Sequence, residues 1–363
     1  MKSASERYSA LVRLVESRTV TRSQPPLLLP AGPYFDLAGE EFGRNLLLTT
    51  TNNGVEYCLR PDFTLPIAQD YIEEGMIGTP SAFTYLGPIF RQERSTPVEF
   101  EQAGLELLGH SDPDQALDQV LTFARWALAI YDITAPNVRL GGVGLFEAFL
   151  EAADVPPAWR SRIRHRFGHP EALQRLMERL TTPEERSATA PSPDSRDTVI
   201  EIVTDAMLSG GLSLIGSRTP EEIADRYLEK QALDAAPVPS ETVALLQNYL
   251  AIADTADAAF DRIGALCTDA GFDFSEPLFQ VRNHAAQLQA LSPSAEVVFD
   301  ASFSPRLDYY TGIVFEMTGS DGAILASGGE YDRMLERLGS PEPVNASGCS
   351  LWVDRMQREA GDE

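Results

Sequence analysis

From Gly144 to about Leu291 the 363-residue chain reads as nearly unbroken helix, and strand-like segments lie on both sides of that run. Ahead of it, Leu46 to Leu59 forms two short strands about a Thr-Asn-Asn-Gly turn, with Asn53-Gly54 as a strong hairpin signal. Residues 81 to 109 form two longer strands joined at Ser95-Thr96-Pro97. Strands return at Val297 to Phe303, Ile313 to Thr318 and Ala323 to Ala326, the last two closed by Ser320-Asp321-Gly322. Alternating strand and helix units are absent, which excludes a doubly wound parallel sheet. The layout predicts an α+β fold over residues 1–363: an antiparallel sheet flanked by helices, interrupted by a mainly helical insertion at about 150–290. Amphipathic helices are expected over 5 to 17 and 116 to 130, and a further helix from about Phe63 to Glu74. Asp62 or Thr64 is placed to cap that helix, and Pro66 falls in its first turn, where a missing N–H costs nothing. Breaks in the insertion are expected at the Ser-, Thr- and Pro-rich residues 181 to 197 and at Ala235 to Ser240.

Charge narrows the function classes. Fifty-four acidic residues against 29 basic ones give a net charge of −25. A protein gripping nucleic acid needs Lys and Arg to neutralise phosphates, so that class is disfavoured. The densest arginine cluster, Arg160, Arg162, Arg164 and Arg166, reads as a solvated helix face. Cys58, Cys267 and Cys349 show no Cys-x-x-Cys spacing and read as reduced core thiols. No stretch approaches the roughly 20 apolar residues of a spanning helix and no N-terminal stretch joins a basic segment to an apolar one and a cleavage site, so a cytoplasmic location is expected. His165 and His169 are spaced like a zinc pair, but Gly168 intervenes and no carboxylate completes a ligand set; no metal site is expected. Gly141-Gly142-Val143-Gly144 departs from dinucleotide-binding spacing and reads as a turn opening a helix. No cofactor is expected.

Two stretches carry polar residues that packing alone explains poorly. Arg91 and Glu93 share one face of a strand, and Gln102, Gly104 and Glu106 share one face of the next. A glycine between an amide and a carboxylate suits the close approach of a ligand, and a zwitterion would fit such a set; on this stretch alone an amphipathic hairpin with a solvated polar face is the favoured reading. In the second stretch, Leu307 to Glu316 holds the pair Tyr309-Tyr310, and Gly328-Gly329 follows. These suit a planar polar ring, or a core tyrosine pair with a tight turn.

At these residues the chain resembles the histidyl-tRNA synthetases of class II. Leu59 to Thr64 resembles their amino-acid loop, while Phe90 to Arg94 and Phe100 to Glu106 resemble their motif 2. Leu307 to Glu316 is similar to their histidine-specific motif, Gly328 to Asp332 to a Gly-Gly-Arg-Tyr-Asp segment, and Gly348 to Arg355 to motif 3. Six segments in order over residues 59 to 355 make a specific match. The resemblance implies a class II synthetase-like fold and a histidine pocket lined by Asp62 (usually Glu in the family), Thr64, Arg91, Gln102, Glu106, Tyr309 and Tyr310. It also implies a vestigial nucleotide site at Arg91 and Arg355, and a self-dimer.

The departures redirect the function. Synthetases place Arg-Gly before Leu-Asp-Tyr-Tyr, whereas here Pro305-Arg306 stands, which shifts the arginine by one residue and so to the opposite face of an extended segment. Losing one preorganised charge contact of this kind costs several kcal/mol of activation. Glu330 occupies the arginine position of the Gly-Gly-Arg-Tyr-Asp segment. Eight residues follow Arg355, against the order of 100 that an anticodon-binding domain needs, so neither that domain nor tRNA binding is expected. This pattern, together with Gly144 to Leu150 and Pro157-Ala158-Trp159-Arg160, resembles the regulatory subunits of ATP phosphoribosyltransferase. The resemblance implies a chain with no catalytic residues that assembles with a short catalytic subunit, is required for its activity, and confers feedback inhibition by L-histidine. Two rivals remain at this stage: a histidine-activating enzyme serving a non-tRNA acceptor, and a nutrient sensor acting on a different partner.

Overall fold

The computed structural model describes residues 3–17, 20–37, 40–92, 97–181, 195–209, 219–305 and 309–361. Two compact units emerge, one of residues 1–149 and 249–363, the other of residues 150–248. In chain order the strands are β1 (Thr21–Arg22), β2 (Leu28–Pro30), β3 (Leu48–Thr50), β4 (Glu56–Leu59), β5 (Ser81–Phe90) and β6 (Glu99–Leu108). They continue as β7 (Asn137–Gly142), β8 (Ala253–Thr255), β9 (Val297–Asp300), β10 (Ile313–Thr318), β11 (Ile324–Glu330) and β12 (Ala346–Trp352).

Nine of these form one sheet in the order β1-β5-β6-β12-β11-β10-β7-β9-β8. Its middle, from β5 to β7, is antiparallel throughout, as expected. Towards the edges β1 joins β5 and β7 joins β9 in parallel, which makes the sheet mixed. The glycines read as a turn at 141 and 142 end β7, and the helix Val143–Ala152 starts directly after them. A strand that closes on two glycines lacks the side chains that produce a period-two pattern, so β7 left little trace in the sequence.

Hydrophobic spacing explains the covering helices. Pro113–Ile130 is capped by Asp112, which accepts the Gln115 N–H at 3.0 Å, and it buries Leu117, Val120, Leu121, Ala124 and Leu128 against the sheet. Ala256–Asp269 packs Phe260 against Phe299 of β9, ring centroids 4.9 Å apart. On Ser275–Leu291, the buried His284 lies 3.2 Å from each of Asp114 and Asp118. Residues 256–291, read from sequence as part of the insertion, therefore belong to the sheet's own unit, and the separate unit ends at residue 248.

The small sheet β2-β4-β3 turns at Thr51 to Gly54, where Gly54 has φ 82°, and packs Leu29, Tyr34, Leu37, Phe42, Leu46 and Cys58 into a second core. Leu27, Leu28, Phe35, Leu48 and Val55 stay exposed around it. The unit of residues 150–248 is helical, with Ile163, Phe167, Leu173, Leu176 and Met177 buried. Its break at Ala235 to Ser240 is present, and the one read at 181 to 197 falls largely outside the described residues. Among the described residues no helix is long and apolar enough to cross a membrane. All three cysteines are buried free thiols.

Candidate binding site

Arg60 sets the geometry at the end of β4. Its guanidinium donates to the carbonyls of Pro25 and Pro88 and lies 4.0 Å over the Phe63 ring, which stacks on Tyr85 at 4.3 Å. With Arg60 and Phe63 fixed, Asp62 and Thr64 turn inward. Asp62, 5% exposed, accepts the Tyr34 hydroxyl at 3.3 Å. The helix Thr64–Glu73 has Phe63 at its N-cap with no side-chain cap hydrogen bond, so the capping expected of Asp62 or Thr64 is not what these side chains do; both are committed to buried partners instead. The second oxygen of Asp62, Oδ2, is buried with no hydrogen-bond donor among the described residues. Burial pushes this carboxyl up to about 6, against the pull of the Arg91 cation.

Thr64 donates its hydroxyl to Glu106 Oε1 at 2.6 Å, and the Tyr331 hydroxyl donates to Oε2 of the same carboxyl. Glu106 is raised to about 8 by burial, the two hydroxyl donors opposing that shift. Opposite it on β12 stands Gly348, where a Cβ would fall 1.6 Å from Oε2; only glycine leaves the carboxyl its place. Gln102 lies on the same face of β6, about 13 Å along the strand, with its Oε1 buried and, among the described residues, without a donor. Gln102 and Glu106 are each 1% exposed, which excludes the solvated-hairpin reading.

Gly104 serves a different purpose from the one its sequence context suggested. A Cβ there would meet the Tyr85 hydroxyl at 2.2 Å and the Cys349 carbonyl at 2.3 Å, so the bare backbone admits Tyr85 and β12 rather than a ligand. Arg91, 7% exposed, lies near the rings of Phe42 and Phe100, with centroids at 5.6 and 5.2 Å. Glu93, expected beside Arg91, falls outside the described residues, as do Arg306, Leu307 and Asp308.

The second stretch converges on the first. Tyr309 and Tyr310 are buried with ring centroids 5.0 Å apart, and Tyr309 meets Tyr331 edge-on at 5.8 Å. Burial and the nearby Asp62 and Glu106 carboxyls drive both phenols above the usual tyrosine value. Glu330 anchors this wall: its carboxylate accepts the Ile313 N–H at 2.7 Å and its carbonyl accepts the Thr311 N–H at 2.8 Å. Burial raises it to about 7. The carboxylate at the synthetase arginine position is thus a brace for the tyrosine turn.

The sequence reading assigned no role to Tyr34, Tyr85 or Tyr331. Tyr331 was within reach, since it follows a strand whose glycines clear space for neighbours; Tyr34 sits beyond a proline-rich loop and carries no signal. Arg355 donates to the Ile324 carbonyl at 3.2 Å and lies 5.2 Å over Trp352, surroundings that differ from those of Arg91. Two buried carboxyls, a cation and a ring of phenols suit a zwitterion with further N–H donors. No contact joins the Gln102 amide to this group among the described residues. Among the described residues no group of three His, Cys, Asp or Glu side chains is arranged to hold a metal ion.

The histidyl-tRNA synthetase family profile matches residues 9–201 and 225–356. Proteins of Brucella canis and Brucella suis named ATP phosphoribosyltransferase regulatory subunit are 34% identical over 374 residues, covering 98% of this chain and 97% of theirs. The chain belongs to this histidyl-tRNA synthetase-like family of regulatory subunits. Solved structures share the family's fold. One, from Bacillus halodurans and described as an ATP phosphoribosyltransferase regulatory subunit/histidyl-tRNA synthetase, has a TM-score of 0.67 at 21% identity, covering 98% of this chain and 78% of that one. A histidine–tRNA ligase subunit from Alicyclobacillus acidocaldarius has a TM-score of 0.58 at 22% identity, covering 99% and 94%. The class II synthetase-like α+β fold is therefore that of the family.

Proposed function

We propose that the chain is the histidine-sensing regulatory subunit of a cytoplasmic ATP phosphoribosyltransferase. It binds L-histidine among Asp62, Thr64, Arg91, Gln102, Glu106, Tyr309 and Tyr310, assembles with a short catalytic subunit, enables that subunit's activity, and transmits feedback inhibition in the first step of histidine biosynthesis. The observation that carries this reading is the buried Asp62 carboxyl beside the Arg91 cation, with an Oδ2 that no donor among the described residues reaches; Gln102 Oε1, elsewhere on β6, is likewise buried without a described donor. Each costs about 1–3 kcal/mol while unsatisfied. The ammonium and imidazole N–H groups of histidine would satisfy them while its carboxylate turns to Arg91.

Inhibition needs no chemistry here. Histidine regulates the partner to the extent that it binds one state of the complex more tightly, and a coupling of about 1–3 kcal/mol suffices. Pro305 and Glu330, where synthetases carry arginine, support a silent active site, with Arg91 and Arg355 as a vestigial nucleotide site. The exposed Leu27, Leu28, Phe35, Leu48 and Val55 beside the small sheet support a self-dimer that covers them. A net charge of −25 argues against tRNA.

Calorimetric titration with L-histidine tests the sensor. The wild type should bind saturably, and an Asp62→Ala, Gln102→Ala double variant should not; equal binding by both would refute the pocket. Co-purification of a phosphoribosyltransferase subunit tests the partner. Histidine-dependent pyrophosphate exchange would establish the activating enzyme instead.

A further inference from the structure

Between Pro157 and Thr181 there are six arginines and two glutamates, in a chain whose net charge is −25. Read as sequence, the four at 160, 162, 164 and 166 are a solvated helix face. The fold of the unit of residues 150–248 gathers three of the six instead. Arg162 and Arg166 stand one turn apart, and Arg166 donates to the Arg162 carbonyl at 3.0 Å. Arg179, from the helix Pro170–Thr181, is the third cation whose charge bears on Arg166. Burial lowers the Arg166 guanidinium from its usual value, the cations of Arg162 and Arg179 lower it further, and Glu229 acts in the opposite direction. Glu229 is also the carboxylate that Arg162 meets, loosely, at 3.7 Å.

The cluster has a firm backing. Ile163, Phe167, Leu173, Leu176 and Met177 are buried beneath it, and Trp159 Nε1 donates to the Ala236 carbonyl at 2.8 Å, tying the helix Pro157–Arg164 to the end of Pro220–Ala235. Guanidiniums held together on a rigid base destabilise the free protein by mutual repulsion. An arriving group with several carboxylates removes that repulsion and gains forked hydrogen bonds.

We infer that Arg162, Arg166 and Arg179 form a docking surface for a carboxylate-rich face of a protein partner, which on the reading proposed above is the catalytic subunit. A nucleic acid reaching beyond so small a basic island would meet the acidic remainder of the chain. A second copy would set −25 against −25. A local acidic patch on a folded partner engages the island alone, and its approach is steered electrostatically.

Association kinetics of the full-length chain with its catalytic subunit, at about 50 and about 500 mM NaCl, test the inference, which rests on that regulatory reading. Arg162→Glu, Arg166→Glu, Arg179→Glu should slow association at least tenfold at low salt, with the difference shrinking at high salt. The corresponding triple Arg→Lys variant should stay within a few fold of wild type. Circular dichroism and L-histidine titration establish that the variants are folded with an intact pocket. Unchanged rates in the Glu variant overturn the docking surface, and so does equal loss in the Glu and Lys variants, which marks a packing role. Failure of the wild type to associate at all overturns the regulatory reading itself and is seen separately.

Discussion

The phenol of Tyr331 donates to Oε2 of Glu106 across 225 residues of sequence, and so joins the residue after β11 to β6 past the intervening β12. Tyr331→Phe keeps the ring against Tyr309 and removes the donor. We expect a loss of about 1–3 kcal/mol in stability, from a buried carboxyl left one partner short, together with weaker L-histidine binding. Thermal unfolding and calorimetry check both; an unaltered protein would mean that Glu106 does not depend on this contact.

The buried carboxyls give a signed pH dependence. Glu106 is raised from 4.5 to about 8 and Asp62 from 3.8 to about 6, so the folded state holds protons that the unfolded chain has already released. Their stabilising contribution is complete below their unfolded values and is lost as pH rises through about 6 for Asp62 and about 8 for Glu106. Each group's slope cannot exceed about 1.4 kcal/mol per pH unit. Urea unfolding between pH 5 and pH 9 should therefore show Glu106→Gln gaining on wild type as pH rises, and parallel curves would contradict the assignment.

Gly348→Ala tests the space beside the same carboxyl. A methyl group placed 1.6 Å from Glu106 Oε2 must displace either that side chain or β12. Overpacking of this kind costs about 1–3 kcal/mol, and L-histidine affinity should fall at least tenfold. Wild-type affinity in this variant would remove Glu106 from the site.

Glu330→Arg restores the residue found in the synthetases. Because Glu330 braces Ile313 from a half-buried position, an arginine there loses the acceptor and partly buries a cation without its synthetase surroundings. We expect lower thermal stability and no gain of histidine-dependent pyrophosphate exchange. Restored exchange would show that one charge alone silences the chain.

Residue order disclosed much of this arrangement. The hairpin at Asn53-Gly54, the pair β5 and β6, and the return of strands after the helical run were readable because each carries its own local period. Asp62, Gln102, Glu106 and the tyrosine pair were nameable as candidates through their motifs, and the structure brings Asp62, Glu106, Tyr309 and Tyr310 together from separate segments. Other features depend on distant neighbours and left no local trace. Gly104 could be recognised as a close-approach position, but only the pairing of β6 with β5, which sets Tyr85 opposite it, shows that Tyr85 is what approaches. The helices over 256–291 share their period with the insertion before them, and their placement is decided by Phe299, Asp114 and Asp118.

The pairing of β6 with β12 also has a consequence in time. Leu108 is opposite Ala346, so about 240 residues must be synthesised before β6 gains its second neighbour. At ribosomal speeds of about 5–20 residues per second, that edge waits on the order of 10–50 s with Gln102 and Glu106 already made and Gly348 still to come. The surroundings of Glu106 are therefore among the last features a nascent chain acquires, and on the proposed reading a prematurely terminated product that lacks β12 would be blind to histidine.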